Sequence, residues 1–346
     1  MFSKVFVGSV LVATLGLVIA CDPRIVDAVA GSDGGAGNCA GDCCSADAPD
    51  RDGDGVPNCA DQCPDQPDKS AHGVCGCEIP DEDRPDVAGC LGIVRALVHR
   101  YAFSGTGAVA LDTAELVYGA VRPGSPPANG TIINTSLDGS GRLSLPGGTN
   151  VNSDEDRYVS LPPRLLSVRA SVTIEAWLTW YGGEAWQRIF DFGNNDADSV
   201  GVGLSNGTSY LFLTPATSGF MGGRARIAYK SPQHSEEVFV DSKRLFPTGI
   251  ETHIAVTFDG ATSTLSLYMD GVLEGSVSQA EVVPGVSPEL GLIEDEFDWI
   301  GRSQYAIDDK LNASIDELRI YSEPFTEAQI RTSAAAGPNP FFFEPR

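Results

Sequence analysis

The chain of 346 residues predicts an all-β fold: a two-sheet antiparallel jelly-roll sandwich preceded by a small irregular module. Three observations predict it. From about Val98 to Ala334, apolar and polar residues alternate in short runs separated by Gly, Asn, Asp and Pro, the period of half-buried strands. All nine cysteines lie at or before Cys90. Residues 22–90 are rich in Gly, Asp, Pro and Cys and show no sustained apolar period, so burial alone cannot fold them.

The N-terminus, "MFSKVFVGSVLVATLGLVIAC", places Lys4 before an apolar run from Val5 to Ala20 and stops at Cys21. This is the layout of a secretory signal, and the run falls short of the ~20 apolar residues of a spanning helix. "VIAC" resembles the bacterial lipobox. The resemblance implies cleavage before Cys21, acylation of its thiol, and a protein exported and lipid-anchored to the bacterial cell envelope, in either membrane leaflet. The competing reading is ordinary cleavage after Ala20. A net charge of −24 and a pI near 4.3 argue against nucleic acid or an anionic lipid surface as a partner, and would attract divalent cations. The expected order is signal peptide 1–20, lipidated N-terminus and linker 21–38, cysteine-rich acidic module 39–97, sandwich 98–336 and C-terminal tail 337–346.

Setting Cys21 apart from the nine leaves eight, Cys39, Cys43, Cys44, Cys59, Cys63, Cys75, Cys77 and Cys90. An even set crowded into one stretch of an exported chain reads as disulfides, although eight cysteines allow 105 pairings. The competing reading is zinc, from the Cys-x3-Cys and Cys-x-Cys spacings. Between these cysteines stands "DRDGDGVPNCAD", in which Asp50, Asp52, Asp54, Val56, Asn58 and Asp61 occupy positions 1, 3, 5, 7, 9 and 12, with Gly55 at position 6. That is the register of an oxygen cage for Ca2+, with a carbonyl ligand at position 7. Alternating carboxylates that repel one another in isolation would converge on a hard cation. "DRDGDGVPNCADQCPDQPD" resembles a thrombospondin type 3 repeat, with Asn58 for a frequent Asp and Cys59 set within the loop. A solvated acidic linker is the competing reading. Asp65 and Asp68 could add a second site that shares Asp61, and His72 reads as a loop residue.

In the sandwich the clearest run is "VTIEAWLTW", with Val172, Ile174, Ala176, Leu178 and Trp180 on one face. "YVSL", "RIFDF", "YLFL", "HIAVTF", "TLSLYM" and "IDELRIY" follow the same rule. Asn206-Gly207 and Asp270-Gly271 read as two-residue hairpin turns. "TEAQIRTSAAA" reads as a helix with a capping box from Thr326 to Gln329. In order, "LVHRYAFSGTGAVALD", "LDGSGRLSLPGG", "VTIEAWLTWYGGEAWQRIFDFG", "THIAVTFDG", "LSLYMDGVLEGS", "WIGRSQYA" and "IDELRIYSEPFTEAQI" resemble a laminin-G-like, concanavalin A-like jelly-roll domain. Departures are the insertion "AVRPGSPPANG" and a missing Trp before His253.

For function, Trp177, Trp186 and Trp299 read as core or rim packing, His253 as a satisfied strand residue, and Arg188 and Arg302 as partners for Asp191 or Asp316. Because the resembled fold also houses glucanases, a hydrolase must be weighed. It needs two carboxyl groups about 5 Å apart for retention; Glu296 and Asp298 have the spacing, but the next same-face positions are Ile300 and Arg302, so a third acid is absent. No nucleophile triad or phosphate loop is present in the sequence. The expectation is therefore not an enzyme but a binding or adhesion protein for a glycan or an envelope protein, with an envelope spacer as the alternative. In "DFGNNDADS", the residues Asp191, Asn194, Asn195, Asp196 and Asp198 could face a sugar or a second Ca2+; the alternative is an ordinary acidic loop.

Overall fold

The computed structural model describes residues 49–71, 73, 75–82, 89–114, 127–149, 156–197, 204–218, 223–278 and 288–340. All of them belong to the compact unit Ala48–Arg346. Cys21, Cys39, Cys43, Cys44, His72 and Asp198 lie outside the described residues.

In chain order the elements are helix α1 (Cys90–Ala96) and strands β1 (Leu97–Tyr101), β2 (Thr106–Gly107), β3 (Val109–Ala110), β4 (Gly130–Ile133), β5 (Leu137–Asp138), β6 (Leu143–Gly148), β7 (Tyr158–Leu161) and β8 (Val172–Trp180). They continue with β9 (Phe190–Asn195), β10 (Gly207–Thr214), β11 (Arg224–Ser231), β12 (His234–Leu245), β13 (Glu251–Asp259), β14 (Thr264–Met269), β15 (Val272–Ser278), β16 (Phe297–Ile300), β17 (Lys310–Tyr321) and helix α2 (Glu327–Ala336). One sheet runs β1-β17-β8-β13-β14-β15, with β6 also on β17; the second runs β12-β11-β10-β9-β16-β7-β4-β3. The twelve-residue β17 serves two partners because β6 pairs with its first half and β1 with its second. Non-consecutive neighbours in both sheets give the predicted jelly-roll sandwich.

The core lies between the sheets. Val172, Ile174, Ala176, Leu178 and Trp180 of β8, Ile254, Val256 and Phe258 of β13, and Phe190, Phe192, Leu211 and Leu213 of β9 and β10 join one cluster. The predicted face of β8 is thus the inward one. The alternation fails in one respect, since Thr173, Glu175, Trp177 and Thr179 on the other face are buried as well. The cause is a cover of helices: Cys90, Ile93 and Val94 of α1, with Phe325 and Ile330, pack on Tyr321, Tyr268 and Ala255 of that sheet. Disulfides Cys63–Cys77 and Cys75–Cys90 tie the acidic module to α1. Those four cysteines are therefore not zinc ligands. Lys69 Nζ, donating to the Ile79 carbonyl at 3.0 Å and to Asp81 at 3.1 Å, stitches the same module.

Turn expectations divide. Asp270 and Gly271 have φ of 50° and 77°, forming the tight turn of the β14–β15 hairpin, as Asp-Gly predicts. Asn206-Gly207 is not such a turn. It opens β10 after a longer connection, and Asn206 is fastened to Asp196, whose Oδ1 accepts the Asn206 N–H. Gly207 is required for space, because a Cβ there would lie 2.6 Å from the Tyr305 ring. Helix α2 starts at the predicted capping box, Thr326 with Gln329.

Candidate functional site

The outward face of the eight-stranded sheet is unusually aromatic for a surface. Strand alternation sends Leu211 and Leu213 inward, so Tyr210 and Phe212 point outward, their rings 5.1 Å apart. The segments before β9 and after β16 rise beside them and bring Trp186 and Tyr305 against this pair. Trp186, Phe212 and Tyr305 thereby wall an open cavity of about 690 Å3. Its charged lining is Glu184, Glu237, Asp308, Asp309 and Arg188.

Trp186 has φ +67°, a left-handed backbone that a bulky side chain adopts at a cost of order 1–3 kcal/mol. Its N–H donates to the Ala216 carbonyl at 2.9 Å and its carbonyl accepts from Arg188. The guanidinium of Arg226, 5.5 Å from the ring centroid, adds a cation–π contact. These contacts hold a half-buried indole at the lip of the cavity.

Below the lip Arg188, only 2% exposed, lies 3.9 Å from the centroid of the Phe212 ring. It pairs with two carboxyl groups, Asp191 Oδ2 at 3.2 Å and Asp308 Oδ2 at 2.9 Å. One guanidinium cannot fully compensate two buried acids. Burial accordingly pushes Asp191 up to about 7 against the pull of Arg188, and raises Asp308 as well. The Gln304 N–H donates to Asp191 Oδ2 at 3.0 Å and the Ser303 hydroxyl to Asp308 Oδ2 at 2.6 Å, while Asp191 Oδ1 is buried with no partner. Glu237, also in the lining, accepts the Tyr210 hydroxyl at 2.8 Å through its Oε2. Aromatic faces beside fixed carboxylate acceptors suit a ligand with apolar ring faces and many donors.

Among the described residues, the other predicted ligand residues of the acidic stretch are hydrogen-bonded within the protein. Asn194 Oδ1 accepts the Asn195 N–H, Asn195 Nδ2 donates to Gln304 Oε1 at 2.8 Å, and Asp196 binds Asn206. Asp191 supports the cavity from behind through Arg188. The expected partner of Arg302 is also replaced: its guanidinium stacks on Trp299 and Tyr158 at 4.4 and 4.7 Å, and Arg142 takes Asp316 at 2.8 Å.

In the acidic module, Asp50, Asp52 and Asp54 bring their carboxylates within 4.8 Å of one another. The loop curls inward because Asp50 accepts N–H bonds from Gly53 and Gly55 at 2.8 and 2.9 Å, both glycines having positive φ. Asp52 Oδ2 and Asp61 Oδ2 are buried and without hydrogen-bond partners, which is the condition a cation would relieve. Asp61 Oδ1 is engaged by the Cys63 N–H. Asn58 departs from its expected part, since its Oδ1 accepts the Arg51 N–H at 2.8 Å and closes the loop instead. Arg51 also takes Asp65 at 2.7 Å, removing it from a second cage. The clustered carboxylates of Asp50, Asp52 and Asp54 would suit a hard cation such as Ca2+; Asp61 is not among the three.

Glu296 and Asp298 differ in their surroundings. Glu296 is exposed and precedes β16, whereas Asp298 is fully buried and accepts the Leu165 N–H at 3.1 Å. His253 is a buried strand residue, its Nε2 3.1 Å from Glu175. Trp177 and Trp299 are packing residues as expected, at 3% and 8% exposure. Trp186 lies at the rim, one of the two expected placements, while Tyr210 and Phe212 beside it were not among the expected site residues. The outward parity of Tyr210 and Phe212 in "YLFL" was the available signal, because a strand face exposed to water seldom carries two aromatic rings.

Residues 153–331, just over half of the 346, match the family model described as the concanavalin A-like lectin/glucanases superfamily. No curated protein matches the chain. Among solved structures it is similar to domain 4 of an extracellular GH43 arabinanase from Geobacillus stearothermophilus, in complex with arabinotriose (16% identity, 68% of this chain and 97% of that one, TM-score 0.41). It is also similar to the CBM40 of a Ruminococcus gnavus sialidase bound to α2,3 sialyllactose (12% identity, 55% and 95%, TM-score 0.42). A third similar structure is of botulinum neurotoxin type C (11% identity, 71% of this chain, 52% of that one, TM-score 0.48). At such identities and scores the likeness carries no function to this chain.

Proposed function

The chain belongs to the concanavalin A-like lectin/glucanases superfamily, and from that premise we propose that it is a lipid-anchored protein of the bacterial envelope that binds a glycan. The ligand lies in the cavity on the outward face of the eight-stranded sheet. The observation that carries this reading is Trp186, held at φ +67° against a cavity of about 690 Å3 that Phe212 and Tyr305 also wall. A left-handed backbone at a bulky residue is kept where the surroundings fix it, and such strain concentrates at binding sites. Sugar rings stack on aromatic faces while their hydroxyls donate to carboxylates such as Glu237 and Asp308.

In this reading Cys21 carries the lipid and Ca2+, held by Asp50, Asp52 and Asp54, stiffens the stalk. The unpartnered Oδ2 atom of Asp52 supports the metal. We read the sandwich as a binding domain and not an enzyme, because Arg188 ties both Asp191 and Asp308 and Asp298, unlike Glu296, is buried away from solvent. A glycan array followed by titration calorimetry tests the proposal. Trp186→Ala should weaken binding about tenfold or more, the scale of an aromatic anchor. If no glycan binds, or if the variant binds as well as the parent, the reading falls and the envelope-spacer role takes its place.

A further inference from the structure

The lining of the cavity is electrostatically one-sided. Glu184, Glu237, Asp308 and Asp309 supply four carboxyl groups against the single guanidinium of Arg188. That guanidinium is already shared between Asp308 and Asp191, so it has no charge to spare for an anionic ligand. Glu237 is 3.4 Å from Arg226, but Arg226 is engaged more closely by Asp241 at 2.6 Å. Glu184 and Asp309 have no basic side chain within salt-bridge distance among the described residues. The whole chain, at −24, reinforces the same sign around the cavity mouth.

On the premise that the ligand is a glycan, we infer that the cavity selects sugars bearing a protonated amine and rejects acidic sugars, with Glu184 and Asp309 as the charge-selecting residues. The chemistry is complementary in both parts. A pyranose ring offers an apolar face to Trp186, and an ammonium on that ring offers donors and a positive charge to carboxylates that otherwise face water unpaired. A uronic or sialic acid would set a carboxylate against the same groups. An N-acetylated amine keeps the stacking but loses the charge.

The test uses the full chain with saturating calcium and three soluble probes of equal length: a glucosamine oligosaccharide, its N-acetylated counterpart and a galacturonic acid oligosaccharide. The expected order of affinity at low salt is amine, then N-acetyl, then acid. The amine should lead by a few-fold to about tenfold, the range for partly exposed charge pairs. The lead should shrink in about 0.5 M salt and vanish in the Glu184→Gln/Asp309→Asn double variant, which should weaken binding of the amine more than binding of the N-acetylated probe. Trp186→Ala should weaken both the amine and the N-acetylated probe. Equal binding of acid and amine, or an amine preference that survives the double variant, would overturn charge selection alone. Binding of none of the three sugars would overturn the glycan premise and this inference with it. Oligolysine bound as tightly as the amino sugar, and equally by Trp186→Ala, would make the site a receptor for cationic peptide instead.

Discussion

Replacing Asp191 with Asn tests whether the buried carboxyl behind the cavity is held partly against its charge. Asp191 is fully buried, shares the Arg188 guanidinium with Asp308, and is pushed up to about 7 by burial. An unfolded Asp titrates near 3.9. Because the folded value is the higher one, the native state binds the extra proton between about pH 4 and 7. The stability associated with that proton is complete below about pH 4 and is lost as pH rises through 7. Three units at about 1.4 kcal/mol each give a loss of roughly 4 kcal/mol across the window. This is an upper figure, since relieving Asp191 leaves Arg188 free to serve Asp308. Asn mimics the neutral acid: its oxygen can still accept the Gln304 N–H. Urea unfolding of parent and variant in calcium, at steps from pH 4 to 8, gives the difference directly. Asp316, raised to about 7 by burial and Glu251, is not among the partners of Asp191, acts on both proteins and cancels. The parent should lose stability relative to Asp191→Asn as pH rises, with the steepest change between about pH 5 and 7. A difference that is flat in pH, or that grows in the parent's favour, would refute the account of a single guanidinium divided between two buried acids.

The calcium loop is addressed by Asp52→Ala, which removes a buried oxygen that has no protein partner. Calcium affinity should fall by at least tenfold and protease cleavage within residues 50–61 should rise, while magnesium protects poorly in the parent. Equal calcium titration of parent and variant would return this stretch to an acidic linker. For the anchor, Cys21→Ser should abolish incorporation of labelled palmitate, and labelling that persists would remove the lipobox reading.

Much of the fold was legible because strand alternation and turn chemistry are local. "VTIEAWLTW" named the inward face of β8 correctly, and Asp270-Gly271 and the Thr326 to Gln329 box were read from neighbours within a few residues. The readings that failed depended on distant chain. Strict alternation would leave Thr173 and Glu175 on the wet face of β8, yet both are buried where α1 and α2 cover that sheet. Asn206-Gly207 has the composition of a tight turn, yet its glycine answers to the ring of Tyr305 nearly a hundred positions away.

The same division holds for function. By itself the sequence determined the sandwich and the split between a cysteine-rich segment and a longer cysteine-free one, and it supplied the export and cation-loop patterns as expectations. Each is written in composition or short-range spacing. Only the tertiary structure decided that Asn58 closes the loop and that Asp191 lies behind a cavity instead of facing a ligand. Only it gathered Trp186, Phe212, Glu237 and Tyr305 around that cavity. These residues come from four separate parts of the chain, and what unites them is the register of strands across the sheet, which no local pattern encodes.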